Sequence, residues 1–321
     1  MSEPSLPAAD TALADLARTL VAGGYRFVTA TPATHARVNA RPGNEQARSL
    51  IDVFGWSRPF EPGLLPPGVL ELMRQGGVLA MEAGLCRSRV RLSTLHGMSF
   101  LHSAYPTSAA DAVFFGPDTY RFADAIAGEL AQGRPVRRAV DIGCGAGPGG
   151  IVVARARPEA ELFMADINPA ALRLARINAA LNLPASPAGH GGVRAVESNL
   201  LAAIPGSFDL IVANPPYMVD PAERAYRHGG GPLGAGLSLA ILDAALERLA
   251  PGGTLVLYTG AAVVNGDDPF QSAATARLSD DRFGWSYREM DPDVFGEELD
   301  AAAYAHADRI AAVVLTVSRK E

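Results

Sequence analysis

The sequence predicts an α/β protein in which a Rossmann-like, mostly parallel sheet follows a smaller helical segment. From about residue 111 onward, short apolar segments alternate with helical ones, as they do in parallel sheets. A glycine-rich loop follows the first apolar segment, and the first 110 residues lack this alternation. Because 321 residues exceed a usual domain of roughly 100–200 residues, we expect an N-terminal domain at 1–110 and a second domain at 111–321.

The second domain is predicted to contain seven strands. Apolar segments predict five successive strands, at residues 137–142, 161–166, 193–197, 208–213 and 254–258. Helical periodicity predicts helices at 168–182 and 237–249, and we expect two closing strands at 286–290 and 310–317.

The N-terminal domain is predicted to resemble a winged helix. An apolar stripe at helical spacing predicts a first helix that ends at Gly23, and a loop should follow it. Asn44 is expected to cap a second helix, and Pro66-Pro67 to open a third. Residues 78–105 then read as short strands joined in hairpins. We expect this domain to recognise the substrate.

Three arginines, Arg87, Arg89 and Arg91, alternate with smaller residues in the predicted hairpins. Strand geometry would place them on one face. Such a face fits either phosphate contacts or the solvated outer side of an antiparallel sheet. Both interpretations stay open at this point.

Composition narrows the class of protein. The net charge is −6, which argues mildly against an extended nucleic-acid footprint. No apolar run approaches the roughly 18 residues of a spanning helix, and residues 1–10 lack signal-peptide features, so we expect a cytoplasmic protein without membrane contact. Cys86 and Cys144 are expected as free thiols, and the histidine spacing predicts no metal site.

A glycine-rich loop with an acidic first residue follows the predicted strand at 137–142. It reads Asp-Ile-Gly-Cys-Gly-Ala-Gly-Pro-Gly-Gly from Asp141 to Gly150 and leads into a helical pattern. Glycines allow sharp turns and leave no side chain between backbone and ligand. Asp166, at the end of the next predicted strand, is placed to accept hydrogen bonds from both ribose hydroxyls of an adenosine.

Two other interpretations of this loop are possible. Its glycines also satisfy the GxGxxG pattern of nicotinamide-dinucleotide proteins, and a tight strand-to-helix turn alone would need glycines as well. Asp141 favours a ligand with an ammonium group over one with a pyrophosphate.

The tetrapeptide Asn214-Pro215-Pro216-Tyr217 directly follows the apolar strand at 208–213. The lone pair of an amide or aromatic amino nitrogen is delocalised, so that nitrogen is a poor nucleophile. Two acceptors against its N–H bonds, the Asn214 side-chain oxygen and the Pro215 carbonyl, would orient the lone pair. The prolines hold that carbonyl in place, and Tyr217 offers a face for a planar substrate.

These motifs resemble those of class I S-adenosylmethionine-dependent methyltransferases, and the tetrapeptide resembles that of their HemK-like branch. The resemblance covers about residues 115–320 and implies a seven-stranded sheet with S-adenosylmethionine as cofactor. Asp141 would lie near the cofactor's amino group and Asp166 on its ribose. Asn199 stands where the family commonly has an aspartate for the adenine. The implied cofactor-binding residues are Asp141, Gly143, Gly145, Gly147, Asp166, Ile167, Asn199, Leu200, Asn214, Thr119 and Tyr120.

The resemblance extends to two flanking segments. Residues 115–120 look like the segment that covers the cofactor, which selects Thr119 and Tyr120. Residues 226–231 correspond to a loop after the tetrapeptide, and their glycines suggest a mobile lid. His228 in that loop is a candidate base, although solvent can take the proton from a methylated amino group. The N-terminal part differs from the helical bundle of HemK-type release-factor enzymes.

Three functional hypotheses follow. The first is an N-methyltransferase for a protein glutamine side chain, with Asn214, Pro215 and Tyr217 as catalytic residues; the partner would be a protein, for instance of the translation apparatus. The second is a methyltransferase for the adenine N6 or guanine N2 amino group of structured RNA or DNA. The third is a nucleic-acid-binding module that only senses the cofactor.

Overall fold

The computed structural model describes residues 6–184, 192–224 and 226–321. The α-helices are α1 (Ala8–Ala22), α2 (Pro32–Asn39), α3 (Leu50–Phe54), α4 (Pro67–Gln75), α5 (Pro117–Leu130), α6 (Pro148–Ala156), α7 (Pro169–Asn182), α8 (Gly236–Arg248) and α9 (Pro269–Arg277). The strands are β1 (Leu79–Glu82), β2 (Leu85–Ser88), β3 (Val90–Leu95), β4 (Met98–Ser103), β5 (Arg138–Ile142), β6 (Glu161–Asp166), β7 (Val193–Glu197), β8 (Phe208–Ala213), β9 (Leu249–Val263), β10 (Phe283–Asp291) and β11 (Arg309–Arg319).

Within the described ranges, β5 to β11 form one seven-stranded sheet, which confirms the predicted fold class. The strand order is β10-β11-β9-β8-β5-β6-β7. The strands from β9 to β7 in this order run parallel, and β11 is antiparallel to both of its neighbours. The chain reverses its direction along the sheet at β5, between β6 and β8, and this is where such sheets bind ligands.

Apolar side chains cover both faces of the sheet. Alternate residues of a strand point to opposite faces. On β8, Val212 joins one core with the helices α5 and α6, and its neighbour Ile211 joins a second core with α8 and α9. This arrangement explains why the central strands are continuous apolar runs in the sequence.

The N-terminal part contains α1 to α4 and the hairpins β1–β2 and β3–β4. Both hairpins turn through two residues of positive φ, Ala83-Gly84 and His96-Gly97, as the right-handed twist of paired strands favours. Asn178 of α7 fixes β4 to the sheet domain: its Oδ1 accepts from the Leu101 N–H at 2.8 Å, and its Nδ2 donates to the Leu101 carbonyl at 2.9 Å. The N-terminal core continues into α7, and a domain boundary near residue 110 stays a prediction.

The structure corrects two predictions for the first helices. The stretch expected as a loop contains α2, which begins at Pro32 and is capped by Thr31, whose side chain accepts from the Thr34 N–H. Asn44 is not a helix cap. Ser49 caps α3 instead, because its hydroxyl accepts from the Asp52 N–H, whereas the Asn44 Nδ2 donates to a carbonyl.

The three alternating arginines do not share one solvated face. Arg87 pairs with Glu82 at 2.8 Å, Arg89 lies exposed between β2 and β3, and Arg91 is only 2% exposed. The expected single strand is divided between β2, which holds Arg87, and β3, which holds Arg91, and these strands belong to different hairpins. In the described ranges, no helix is long and apolar enough to cross a membrane.

Candidate active site

A cavity of about 270 Å³ lies at the carboxyl ends of β5, β6 and β8. Loops that follow these strands form its walls, together with the start of α5 and residues 295–298. This edge is where open parallel sheets bind ligands. The sequence-predicted residues that line it are Thr119, Asp141, Gly143, Gly145, Asp166, Ile167, Asn199, Leu200, Asn214, Pro215 and Tyr217.

Two predicted cofactor residues, Gly147 and Tyr120, lie outside this lining. Gly147 has φ 84°, and a Cβ there would lie 3.0 Å from the Met164 sulfur, so the glycine permits close packing of the loop. The Tyr120 hydroxyl accepts a hydrogen bond from the Thr29 N–H at 3.0 Å and so joins α5 to the N-terminal part. Their contact with a cofactor stays a prediction.

Asp141 lies at the end of β5, on the floor of the cavity. It is 1% exposed, and its Oδ2 accepts from the Gly150 N–H at 2.7 Å. Burial raises the pKa of this carboxyl to about 7, and the nearby charge of Asp166 acts in the same direction. A ligand cation would favour the ionised form and lower this pKa. The site therefore suits an ammonium group.

The glycine-rich loop bends tightly after β5. Gly143 and Gly145 have φ values of 68° and 54°, a region that glycine enters without steric cost. The Gly143 N–H donates to the Ala165 carbonyl at 2.8 Å, and the Gly145 N–H donates to Asp166 Oδ2 at 2.9 Å. The loop is thus fixed to the end of β6.

One wall of the cavity carries a carboxylate, an exposed apolar side chain and an amide, from Asp166, Ile167 and Asn199. Asp166 is held by the Asn168 N–H, which donates to its Oδ1 at 2.9 Å, and burial raises its pKa. Ile167 is 59% exposed, which is unusual for so large an apolar side chain. The Asn199 side chain is exposed and makes no hydrogen bond to another described residue. Together these groups fit a nucleoside: acceptors for its ribose, an apolar surface for its base and an amide for its edge.

The tetrapeptide that follows β8 forms the opposite wall. Asn214 is partly buried, and its side chain makes no hydrogen bond within the described residues, so its oxygen is free to accept one from a ligand. Pro215 is buried, and Tyr217 is 7% exposed with its ring 6.3 Å from that of Phe295.

Three glycines pack against this tetrapeptide and leave the space that Tyr217 occupies. A Cβ on Gly260 would lie 2.2 Å from Tyr217 Cδ2, one on Gly229 would lie 2.7 Å from Tyr217 Cα, and one on Gly234 would lie 2.1 Å from the Tyr217 carbonyl oxygen. Real Cβ atoms do not approach other atoms so closely. Larger residues at these positions would therefore displace Tyr217.

Residues 226–231, expected as a lid, are fixed by backbone hydrogen bonds. The Gly229 N–H donates to the Met218 carbonyl at 2.9 Å, and the Leu237 N–H donates to the Gly229 carbonyl at 2.7 Å. His228 Nδ1 accepts from the Asp220 N–H at 3.2 Å, and this histidine does not line the cavity. A role as base has no geometric support here, and lid motion stays a prediction.

Asp118 is a cavity residue that the sequence reasoning missed. It is 4% exposed, accepts from the Tyr258 hydroxyl at 2.6 Å and pairs with Arg121 at 3.3 Å. The Tyr217 hydroxyl faces the same carboxylate without forming a hydrogen bond of ordinary geometry. Burial raises the Asp118 pKa. Its position beside Thr119, within the segment at 115–120 that was expected to cover the cofactor, was the only signal in the sequence.

The mouth of the cavity combines aromatic and charged groups that were also missed. The rings of Phe114 and Tyr226 lie nearly parallel, at 13°, with centroids 6.3 Å apart. Arg227 forms an ion pair with Glu298, and the neighbouring Glu297 lines the same opening. They come from three separate segments, around Phe114, Tyr226 and Glu298, and only Tyr226 and Arg227 lay in a segment that the sequence had singled out.

Several known proteins resemble this chain over the segment that contains the cavity loops. Residues 123–263 match the methyltransferase small domain family. A release factor glutamine methyltransferase of Deinococcus radiodurans is 33% identical over 222 residues, which cover 66% of this chain and 73% of the relative. A ribosomal RNA small subunit methyltransferase C of Hamiltonella defensa is 40% identical over 80 residues, 25% of this chain and 22% of that protein. A tRNA1(Val) (adenine(37)-N6)-methyltransferase of Aeromonas hydrophila is 36% identical over 137 residues, 40% of this chain and 54% of that protein.

The fold, the family match and the long relative together define the class: the chain belongs to the class I S-adenosylmethionine-dependent methyltransferases. Within this class it is an N-methyltransferase, in agreement with relatives that are named for glutamine and for adenine N6. Members of the class use S-adenosylmethionine.

Proposed function

We propose that this enzyme belongs to the HemK-like branch and methylates a glutamine side-chain amide of a protein partner. The observation that carries the proposal is the free side chain of Asn214, which stands in the cavity opposite the glycine-rich loop. The resemblance to a release factor glutamine methyltransferase over most of that relative's length supports the glutamine substrate.

The residues around the glycine-rich loop fit S-adenosylmethionine, which when bound supplies an electrophilic methyl group. Asp141 would face the ammonium group of its methionine part, and Asp166 its ribose hydroxyls. Gly143 and Gly145 leave room for the ligand to lie against the backbone, since nothing but open space surrounds a Cβ added at Gly143. Ile167 would cover one face of the adenine, and Asn199 would accept from its amino group.

Asn214 and Pro215 orient the substrate nitrogen that receives the methyl group. The Asn214 oxygen and the Pro215 carbonyl accept from the two N–H bonds of the substrate amide, so that the lone pair turns out of the amide plane. The prolines keep both acceptors rigid. Tyr217 is held by Gly260 behind it and supports the planar amide. After transfer, the methylated nitrogen loses one proton to solvent, and the neutral amide is restored.

Charge at the cavity mouth favours a peptide over a nucleic acid. Glu297 and Glu298 stand there, and the described cations beside them are already paired, Arg227 with Glu298 and Arg224 with Asp220. Phosphates approaching this opening would meet carboxylates, whereas the neutral backbone of a peptide would not.

Methyl-labelled cofactor, offered with separate pools of cell protein, ribosomal RNA and transfer RNA, tests the proposal. We expect label in protein, recovered as methylated glutamine after digestion. Label in either RNA pool alone would refute the glutamine substrate and keep the enzyme class. Asn214→Ala serves as the control that removes labelling without loss of cofactor binding.

A second candidate is methylation of a base amino group in RNA. The parallel rings of Phe114 and Tyr226 at the mouth favour it, because bases stack on aromatic side chains. Phe114→Ala together with Tyr226→Ala would then reduce RNA labelling strongly and protein labelling little.

A further inference from the structure

Arg91 is a buried cation without a carboxylate partner among the described residues. It is 2% exposed on β3, and its only hydrogen bond within the described residues runs from Nε to the Ser103 carbonyl at 3.2 Å. Burial lowers the pKa of its guanidinium to about 10, which leaves it charged at neutral pH. A buried charge is costly unless it is paired. The terminal N–H groups of this side chain therefore lack the anion that would stabilise them.

Two buried histidines stand around this guanidinium. His102 lies directly opposite Arg91 across the β3–β4 hairpin, and His35 approaches from α2; both are 0% exposed. The Nδ1 of each ring has no hydrogen bond of ordinary geometry, although the Ser103 carbonyl lies near that of His102. The Nε2 atoms are used: His102 contacts Ser93 Oγ at 2.7 Å, and His35 contacts the Trp56 carbonyl at 2.8 Å.

Among the described residues, the groups that act most strongly on this guanidinium are tyrosines and not carboxylates. Tyr25, Tyr105 and Tyr120 lie near the guanidinium, and burial raises the pKa of Tyr25 and Tyr120. Arg58 adds a second cation near His35, and it is neutralised by its own partner Asp52. Burial and the charge of Arg91 lower the pKa of His35 to about 4 and also lower that of His102, so both rings are neutral at pH 7.

We propose that Arg91, His35 and His102 form a binding site for a small oxyanion, separate from the methyltransferase cavity. The anion accepts hydrogen bonds from the free Arg91 N–H groups. His35 already directs Nε2 at a carbonyl, so its Nδ1 can donate to the anion only after taking up a proton. Anion binding is therefore linked to proton uptake, and affinity increases as the pH falls below 7.

The proposed site requires α2 to move before an anion can enter, because Arg91, His35 and His102 are 0–2% exposed. His35 is the one buried residue of this eight-residue helix, so little other buried surface ties the helix down. Three arginines lie near His35 in the sequence: Arg26, Arg37 and Arg41. Their side chains are exposed and have no carboxylate partner within the described residues. Their positive potential would raise the local anion concentration.

Titration with inorganic phosphate, and in a second arm with acetate, tests the site at constant ionic strength by calorimetry and thermal unfolding. We expect phosphate to bind saturably with proton uptake. Saturable binding of acetate instead of phosphate would identify a carboxylate site. Phosphate also stabilises proteins by exclusion from their surface, but that effect does not saturate. Arg91→Met should reduce phosphate affinity by about tenfold or more.

Arg89→Met is the matched control, because this exposed arginine lies two positions before Arg91, just outside β3. It should leave the saturable binding unchanged. If Arg91→Met does not fold, His35→Gln replaces it and should retain binding but lose the increase at lower pH. Absence of saturable binding to the wild-type protein, equal loss in Arg89→Met, or an unchanged pH dependence in His35→Gln would overturn the proposal.

Discussion

The Tyr258 hydroxyl donates a 2.6 Å hydrogen bond to Asp118, the carboxylate that the Tyr217 hydroxyl also faces. This contact supports the carboxylate that faces the Tyr217 hydroxyl and stabilises its ionised form. Tyr258→Phe should lower the free energy of unfolding by about 1–3 kcal/mol and reduce kcat severalfold through displacement of Tyr217. Cofactor affinity should stay unchanged.

Tyr287→Phe is the matched control, because it also removes a tyrosine hydrogen bond to a carboxylate, Asp268, away from the cavity. Chemical denaturation and steady-state kinetics of both variants make the comparison. Equal kcat in Tyr258→Phe and the wild type would show that the contact does not support Tyr217.

Asn214→Ala should separate catalysis from cofactor binding. It removes an acceptor that has no other partner in the described structure, so turnover should fall roughly ten- to a thousandfold while cofactor affinity stays nearly intact. Single-turnover kinetics and calorimetry measure the two quantities. An unchanged turnover would remove Asn214 from the mechanism.

Asp166→Ala, unlike Asn214→Ala, should act on cofactor binding. Loss of its hydrogen bonds to the cofactor ribose and to the Gly145 N–H should weaken cofactor binding by about 1–3 kcal/mol. Asp166→Asn is the milder control, since its amide oxygen can still accept one hydrogen bond. Calorimetry that gives the wild-type affinity for Asp166→Ala would place the ribose elsewhere.

Asp141 should make cofactor affinity depend on pH. Its pKa of about 7 without ligand means that the carboxyl is protonated below pH 7, where it no longer attracts an ammonium group. We expect affinity to fall as the pH decreases from 8 to 6, and Asp141→Asn to bind weakly with a flat profile. Calorimetry across this range checks the prediction, and a steep profile in Asp141→Asn would contradict it.

The same carboxyl should destabilise the ligand-free protein at high pH. A carboxyl whose folded pKa lies above its ordinary value of 3.8 contributes stability at low pH that is lost as the pH rises through about 7. Asp141→Asn should therefore raise the free energy of unfolding at pH 8 more than at pH 5. Urea denaturation at both values measures the difference.

Gly234→Ala should disrupt the site through its contact with Tyr217. Its φ of 80° and a Cβ 2.1 Å from the Tyr217 carbonyl oxygen require the tetrapeptide to move, so methyl transfer should fall at least tenfold. Gly230→Ala shares a positive φ, 67°, but its Cβ meets open space. It should cost only about 1–2 kcal/mol of stability. Similar activity in the two variants would contradict the steric argument.

The sheet was predicted well because strands that are buried on both faces are continuous apolar runs in the sequence. Strands such as 208–213 appear as unbroken apolar runs, and the loops that follow them carry the glycines and Asn214 that line the cavity. Asp118 and Glu298 could not be found in this way, since they reach the site by tertiary packing and belong to no local pattern.

The N-terminal part was predicted less well for related reasons. The helix α2 depends on a Thr31 cap in a segment whose prolines and threonines suggested a loop. The alternation around Arg91 suggested one strand, whereas Arg87 lies in β2 and Arg91 in β3, which belong to different hairpins. A face becomes buried through contacts with distant residues, and a single sequence does not record those contacts.

The three glycines behind Tyr217 bear on any attempt to transplant this chemistry. Gly229, Gly234 and Gly260 come from two separate stretches of chain, and each yields space to the same short loop. If only the four residues Asn214–Tyr217 were grafted onto another strand, the tetrapeptide would have the right sequence but the wrong position. The loop and the glycines that leave space for it would have to be transferred together.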